Sequence, residues 1–315
     1  MIDFRYHIVS IVAVFLALAL GLFLGSTTLQ GTVLNGITNK VNQVTQENSR
    51  INAELNATRA QVNTQDQFLQ AVAPFAVSNV LPQETVGIVV APGVDGSVVD
   101  AVEKIIQQAG ATVTSRVQLD TNFFDPSQDT LLANLAQRLD PATVTLPNTG
   151  GAAQAAALLA AALAAKPSRP AMSQTRIQSI LSSYVAAKVL AVNGAIDDVR
   201  AANLTVLLAP GPGALLSGHR QADTSLLIGL ATALAHESVG AVLGAPLSAL
   251  ASGGVLQEVR SSGQRPDNLA TADSTPTIAG QIALTFGLVE VFDGRSGDFG
   301  PGSNPPLPAA PTPNP

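Results

Sequence analysis

The chain has no cysteine, two methionines (Met1 and Met172), three histidines (His7, His219 and His236), and 16 basic against 22 acidic side chains. Without thiols there is no disulfide framework, no thiolate nucleophile, and no Cys-ligated zinc or iron–sulfur centre. The redox compartment is left open. A net charge of -6 argues against a broad nucleic-acid-binding surface. Disorder throughout is excluded in turn, because 46% of the 315 residues are apolar.

Those apolar residues first gather near the amino terminus, where Ile8 to Leu24 carries no ionisable side chain. With its flanks the run is long enough for a hydrocarbon core of about 30 Å, Arg5 snorkelling toward the headgroups. Residues 1–29 therefore read as a membrane anchor. Arg5 precedes the run and the next basic residue is Lys40, a bias that places the amino terminus in the cytoplasm and exports the rest. A cleaved signal peptide shares the apolar core, but Ser26, Thr27 and Thr28 make no clear small-x-small cleavage site. The expectation is a retained single-pass inner-membrane anchor with a periplasmic carboxy-terminal domain. Gly21 and Gly25 form a small-xxx-small pair that could bring two anchors together.

Beyond the anchor, Leu34, Ile37, Val41, Val44, Asn48, Ile51, Leu55, Thr58, Val62, Gln65, Leu69 and Val72 advance by alternating steps of three and four. So narrow an apolar stripe on a polar helix needs partner helices to cover it. Residues 30–73 are expected to form a coiled-coil stalk ending at Pro74. The oligomerisation contacts are Leu34, Ile37, Val41, Val44, Asn48, Ile51, Leu55, Val62, Leu69 and Val72, in a homodimer with a trimer left open. Asn48 would cost stability but fix register. A long helix folded back on its own domain is the alternative.

After Pro74 the texture changes. Thr85 to Ala91 and Ala111 to Val117 read as strands around a helix from Ser97 to Gln108. Helices are expected at Thr130–Leu139, with Asp129 as a possible N-cap, at Ala152–Ala165 and at Ser173–Val185. Lys188–Val192, Leu204–Ala209 and Val239–Leu243 follow as strands, the last two flanking a helix from Asp223 to His236. Residues 84–293 thus read as an exported α/β domain with a Rossmann-like parallel sheet. Ala91-Pro92-Gly93, Ala209-Pro210-Gly211 and Ala245-Pro246 repeat as strand-ending turns at one sheet edge. Ile278–Val291 is a last apolar segment, and residues 294–315, rich in Gly and Pro, read as an extended or disordered tail.

No chemical centre emerges. In the loop after Ala209, Gly211 and Gly213 have the spacing of a dinucleotide fingerprint, but Leu216 occupies its third position, Pro210 and Pro212 lack backbone donors, and no P-loop is present. His236-Glu237 lacks the second histidine of a zinc-protease helix. Asp197 with Asp198, and Asp267 with Asp273, are carboxylate pairs that capping and solvation account for. Soft copper ligands are scarce, and His219 and His236, 17 positions apart, make no compact site. The expectation is no catalytic, cofactor-binding or metal residue and no cofactor. The repeated lipid-facing strands of a transmembrane barrel are missing too.

The opening IDFRYHIVSIVAVFLALALGLFLGS, the heptad segment, and TADSTPTIAGQIALTFGLVEVFDGRSGDFG resemble the mycobacterial copper transporter (MctB) family, actinobacterial envelope proteins also described as SteB-type cell-separation accessory proteins. The resemblance covers residues 1 to about 300. It implies one of two roles: copper transport or efflux across the envelope, or regulation of peptidoglycan hydrolases with a partner membrane protein during cell separation. Where the family often ends in a Gly-His-Tyr-Gly pattern, this chain has Gly297-Asp298-Phe299-Gly300, one histidine fewer. The residues favour the second role, a non-enzymatic scaffold that binds its partner through Pro92, Asp95, Pro210, Pro212 and Pro246; copper ions are a partner, and the outer membrane a location, only under the first.

Overall fold

The computed structural model describes residues 4–139, 144–168, 172–214 and 219–308. Two compact units divide the chain, one up to Gln65 and one from Asp66 on.

The first unit is helical. Helix α1 runs from Phe4 to Val77, and Tyr6–Gly25 within it is long and apolar enough to cross a membrane, with a mean hydropathy of 2.8. On the polar stretch that follows, Ile37, Val41, Val44, Asn48, Ile51, Leu55 and Val62 are exposed along one seam. The side chain of Leu34 lies outside the described set.

In the second unit α1 does not stop at Pro74 as expected: the proline sits inside the helix, which continues to Val77. A proline in a helix interior forfeits one backbone hydrogen bond. Burial of Ala73 and Val77 in an apolar core offsets that loss. Leu69 is half-buried and Val72 exposed on the same stretch.

The sheet comprises β1 (Thr85–Val90), β2 (Thr112–Leu119), β3 (Leu190–Val192), β4 (Leu204–Leu208), β5 (Gly240–Gly244), β6 (Leu269–Ala272) and β7 (Asp298–Phe299), ordered β3-β2-β1-β4-β5-β6-β7. All neighbours pair in parallel except β2 and β3. The all-parallel sheet read from the sequence is corrected at that edge. Leu190 follows Lys188, whose φ of 57° reverses the chain directly after a helix, so the strand returns antiparallel without a crossover.

Helices cover both faces: α2 (Gly96–Gln108), α3 (Asp129–Leu139), α4 (Gly151–Leu163), α5 (Gln174–Ala186), α6 (Arg220–Glu237), α7 (Val255–Ser261) and α8 (Ile278–Phe292). The central strands are continuously apolar because each face has its own core. Val89, Leu207 and Leu243 point into the layer with α4, α5 and α6. Ile88, Val206 and Val242 point into the layer with α2, α8 and the end of α1.

Two further expectations are corrected. Asp129 is the first residue of α3 rather than its cap; its Oδ1 instead accepts the Ala152 N–H at 3.0 Å, capping α4. The stretch beyond Gly294 is not a free tail through its described part: Phe299 is buried on β7, and Gly300 N–H donates to the Pro306 carbonyl at 2.7 Å. A buried aromatic, an open sheet edge and hydrogen bonds from Gly302 and Ser303 to Asp273 hold this Pro-rich segment. Residues 309–315 lie outside the described set.

Candidate functional site: the carboxyl edge of the sheet and its flanking cleft

In a parallel sheet the loops after the strands emerge at one edge, and ligands enter where the strand order reverses. Here that point lies between β1 and β4. Val90 pairs with Leu208 and Leu208 with Gly244; the ladder extends one residue further through Ala91 N–H to the Leu208 carbonyl and Ala209 N–H to the Gly244 carbonyl, both 2.8 Å. The register therefore brings the three proline turns level with one another.

They also touch. A Cβ on Gly93 would stand 3.5 Å from Pro210 Cβ, and one on Gly211 would stand 3.5 Å from Pro246 Cγ and 2.5 Å from Ser248 Oγ. Pro92, Pro210 and Pro246 thus belong to adjoining loops. Pro92, Pro212 and Pro246 are half-buried, whereas Pro210 is buried. Asp95 is exposed, and its Oδ1 accepts both the Ser97 N–H and the Ser97 hydroxyl at 2.9 Å. The backbone bond, more than the hydroxyl, holds its carboxyl below the usual aspartate range. Its visible work is to cap α2.

The crevice at the switch point is almost filled. Ala91, Pro92, Thr121, Phe124, Ala214, Asp223 and Leu227 leave about 20 Å³ between them, room for roughly one water and none for a nucleotide. Leu216 of the imperfect glycine fingerprint lies outside the described residues.

Sequence reasoning missed the cleft next to it. About 990 Å³ is walled by the segment from Phe124 to Asp129, the approach to α4, the first turns of α4 and one side of α6. Its walls are mainly Ala, Gly, Pro and other apolar groups, and its titratable members are Asp125, Asp129, Asp223, His236 and Glu237. Asp125 accepts the Ser127 N–H at 2.8 Å, which with the Ser127 hydroxyl, and to a smaller extent His219, lowers its pKa. The alanine run of α4 signalled burial in the sequence; nothing in it signalled that the helix would leave a furrow beside α6.

The remaining candidates do not converge. Asp197 and Asp198 are exposed on one 3₁₀ turn. Asp267 is exposed ahead of β6 and Asp273 is fully buried behind it, so they form no pair. His219 precedes α6, while His236 Nδ1 at its far end lies 3.0 Å from Glu237 Oε1. Met172 packs against a core. Among the described residues no three His, Cys, Asp or Glu side chains gather in a way that could hold a metal ion.

Comparison with known proteins supplies what the geometry does not. The family profile described as "Copper transport outer membrane protein, MctB" matches residues 1–306. The copper transporters MctB of Mycobacterium tuberculosis and Mycobacterium bovis are each 26% identical over 308 residues, covering 96% of this chain and 97% of theirs. The Mycobacterium leprae copper transporter is 26% identical over 313 residues with the same coverage. These matches overturn two expectations. A family described by copper transport displaces the regulator of peptidoglycan hydrolases, and a description that names the outer membrane displaces the inner-membrane anchor. The residue-level reading erred because an anchor and a head poor in chemical groups suit a scaffold and a transport component alike. The family is described by transport and not by a reaction, in line with the expectation of a non-enzymatic chain.

Proposed function

Because this chain belongs to the MctB family, we propose that it is a membrane-anchored component of copper transport across the outer membrane of a mycobacterial-type envelope. The observation that carries this reading is the extent of the match: it spans residues 1–306, both units and not the apolar segment alone.

Copper is cargo here. The chain lacks cysteine and the described residues hold no cluster of ligands, which supports passage through an assembly over tight storage by one copy. A lone spanning helix encloses no lumen, so more than one anchor is required for a path. Residues 1–29 supply the anchor and residues 30–73 the stalk, joined as a homodimeric coiled coil through Leu34, Ile37, Val41, Val44, Asn48, Ile51, Leu55, Val62, Leu69 and Val72. The exposure of Ile37, Val41, Val44, Ile51, Leu55, Val62 and Val72 supports this pairing. Residues 84–293 form a Rossmann-like head, supported by a strand order that runs outward from β1 on both sides. Its loops at Pro92, Asp95, Pro210, Pro212 and Pro246 offer the contact surface for a second envelope protein.

The test is copper content. Cells deleted for the gene, grown in copper, should show a cellular copper level by mass spectrometry that differs from wild type and returns on complementation. Purified chain in proteoliposomes should raise copper flux above empty vesicles. Unchanged copper content together with no flux would overturn the reading.

A further inference from the structure

The cleft between α4 and α6 has the size of a ligand site and no assigned occupant. Its 990 Å³ falls among pockets that bury most of a small molecule. From Asp223 to His236, both on its wall, α6 advances about 20 Å at 1.5 Å per residue. An elongated molecule matches that length. The small walls follow from the sequence: Ala153 and Ala157 on α4 face Gly229 and Ala233 on α6.

Charge selects further. The titratable lining groups are four carboxylates and His236, and no Lys or Arg lines the cleft among the described residues. Asp129 is committed to the α4 amino terminus. Asp125 stands half-buried at the end near the carboxyl edge, its Oδ1 accepting the Ser127 N–H at 2.8 Å. An anionic head would face four lining carboxylates against His236, with His219 acting on Asp125 from outside the lining, and an uncharged chain would leave that end unmatched.

We propose that this cleft binds a cationic amphiphile, its alkyl chain lying along the Ala/Gly furrow between α4 and α6 and its amine directed to the Asp125 end. An envelope protein meets such molecules as amine-bearing lipids or membrane-active cationic compounds; the chemistry recognised is the same.

The full chain in zwitterionic lipid nanodiscs would be exposed to a dodecylamine carrying a photoreactive diazirine, and in parallel to the carboxylate of equal length. Cross-links mapped by peptide mass spectrometry should fall on segments 144–157 and 222–237, with the amine favoured about tenfold. Gly229→Phe fills the furrow at a position where an added Cβ meets nothing within 4 Å, and should remove most labelling without moving the melting temperature. Asp125→Asn keeps the shape of the cleft and should erase most of the preference for the amine. Equal labelling by both probes, labelling confined to α1, or labelling undiminished in a folded Gly229→Phe chain would overturn the proposal. Copper content and flux play no part in these readouts, so either reading can fail alone.

Discussion

Arg260 Nη2 lies 3.3 Å from Asp273 Oδ2, and Asp273 is fully buried. The carboxylate also accepts the hydroxyls of Ser274 and Ser303 and the Gly302 N–H at 2.8 to 2.9 Å. Arg260 in turn donates to Thr271 Oγ1 and the Phe299 carbonyl. One ion pair thereby joins α7, the end of β6 and the segment after β7. Removing one partner of a buried pair strands the other charge. Arg260→Ala should therefore lower the unfolding free energy by about 3 kcal/mol or more in denaturant titration, and expose the chain beyond Gly297 to proteases. Arg260→Lys should recover only part, because an ammonium cannot span the same set of acceptors.

Tyr184 is buried, and its hydroxyl donates to the Ala155 carbonyl at 3.1 Å, tying α5 to α4. Burial raises its pKa far above the usual 10.0. A folded-state pKa above the unfolded one contributes stability that is complete below about pH 10 and is lost as pH rises beyond it. Unfolding titrations between pH 9 and 11 should show that decline, and Tyr184→Phe should flatten it at a cost near neutrality of about 1 kcal/mol.

Asp95 and Asp125 shift the other way, each held below 3.8 mainly by a backbone N–H. Their stabilising contribution is present above the unfolded value and disappears as pH falls through the lower folded one. Carboxyl carbon NMR titration should find both still ionised at pH values where an unfolded aspartate is half protonated. Ser97→Pro, which removes the N–H facing Asp95, should move Asp95 back toward 3.8 and leave Asp125 in place.

For the proposed coiled coil, Val44→Lys with Ile51→Lys places like charges on the seam. Sedimentation of the full chain in detergent should change from an oligomer to a monomer, with unaltered thermal unfolding of the head. An unchanged mass would count against pairing through this seam.

Thr277 caps α8 by accepting the Gly280 N–H at 3.2 Å. Thr277→Ala should cost about 1 kcal/mol in thermal unfolding. Gly280→Ala should cost more, because a Cβ there would overlap the Ser274 carbonyl.

The long central strands and most helices were legible because their apolar periodicities are set by burial on two faces: Thr85–Val90, Leu204–Leu208 and Gly240–Gly244 appear within a residue or two of their expected bounds. Among the short elements β3 was read, within Lys188–Val192, but β6, α7 and β7 were not. Leu269–Ala272 is a four-residue strand and α7 seven residues long, too brief to show a period. Asp298–Phe299 became a strand only because β6 offered an open edge and Asp273 an anchor, a tertiary cause with no local trace. The three proline turns were placed on one edge by their repetition, whereas the cleft arises from how α4 leans on α6, which no stretch of either helix specifies. In the motif of the final third that carries the family resemblance, Asp273 holds the joint with Arg260, and Thr277 and Gly280 form the start of α8.

Ala73 and Val77 share a core with Phe299. The first and last pieces of the second unit are thus needed for the same apolar layer, and a growing polypeptide cannot finish it until translation has passed residue 299. A product halted earlier would present an open sheet edge and an unfilled interior to quality control.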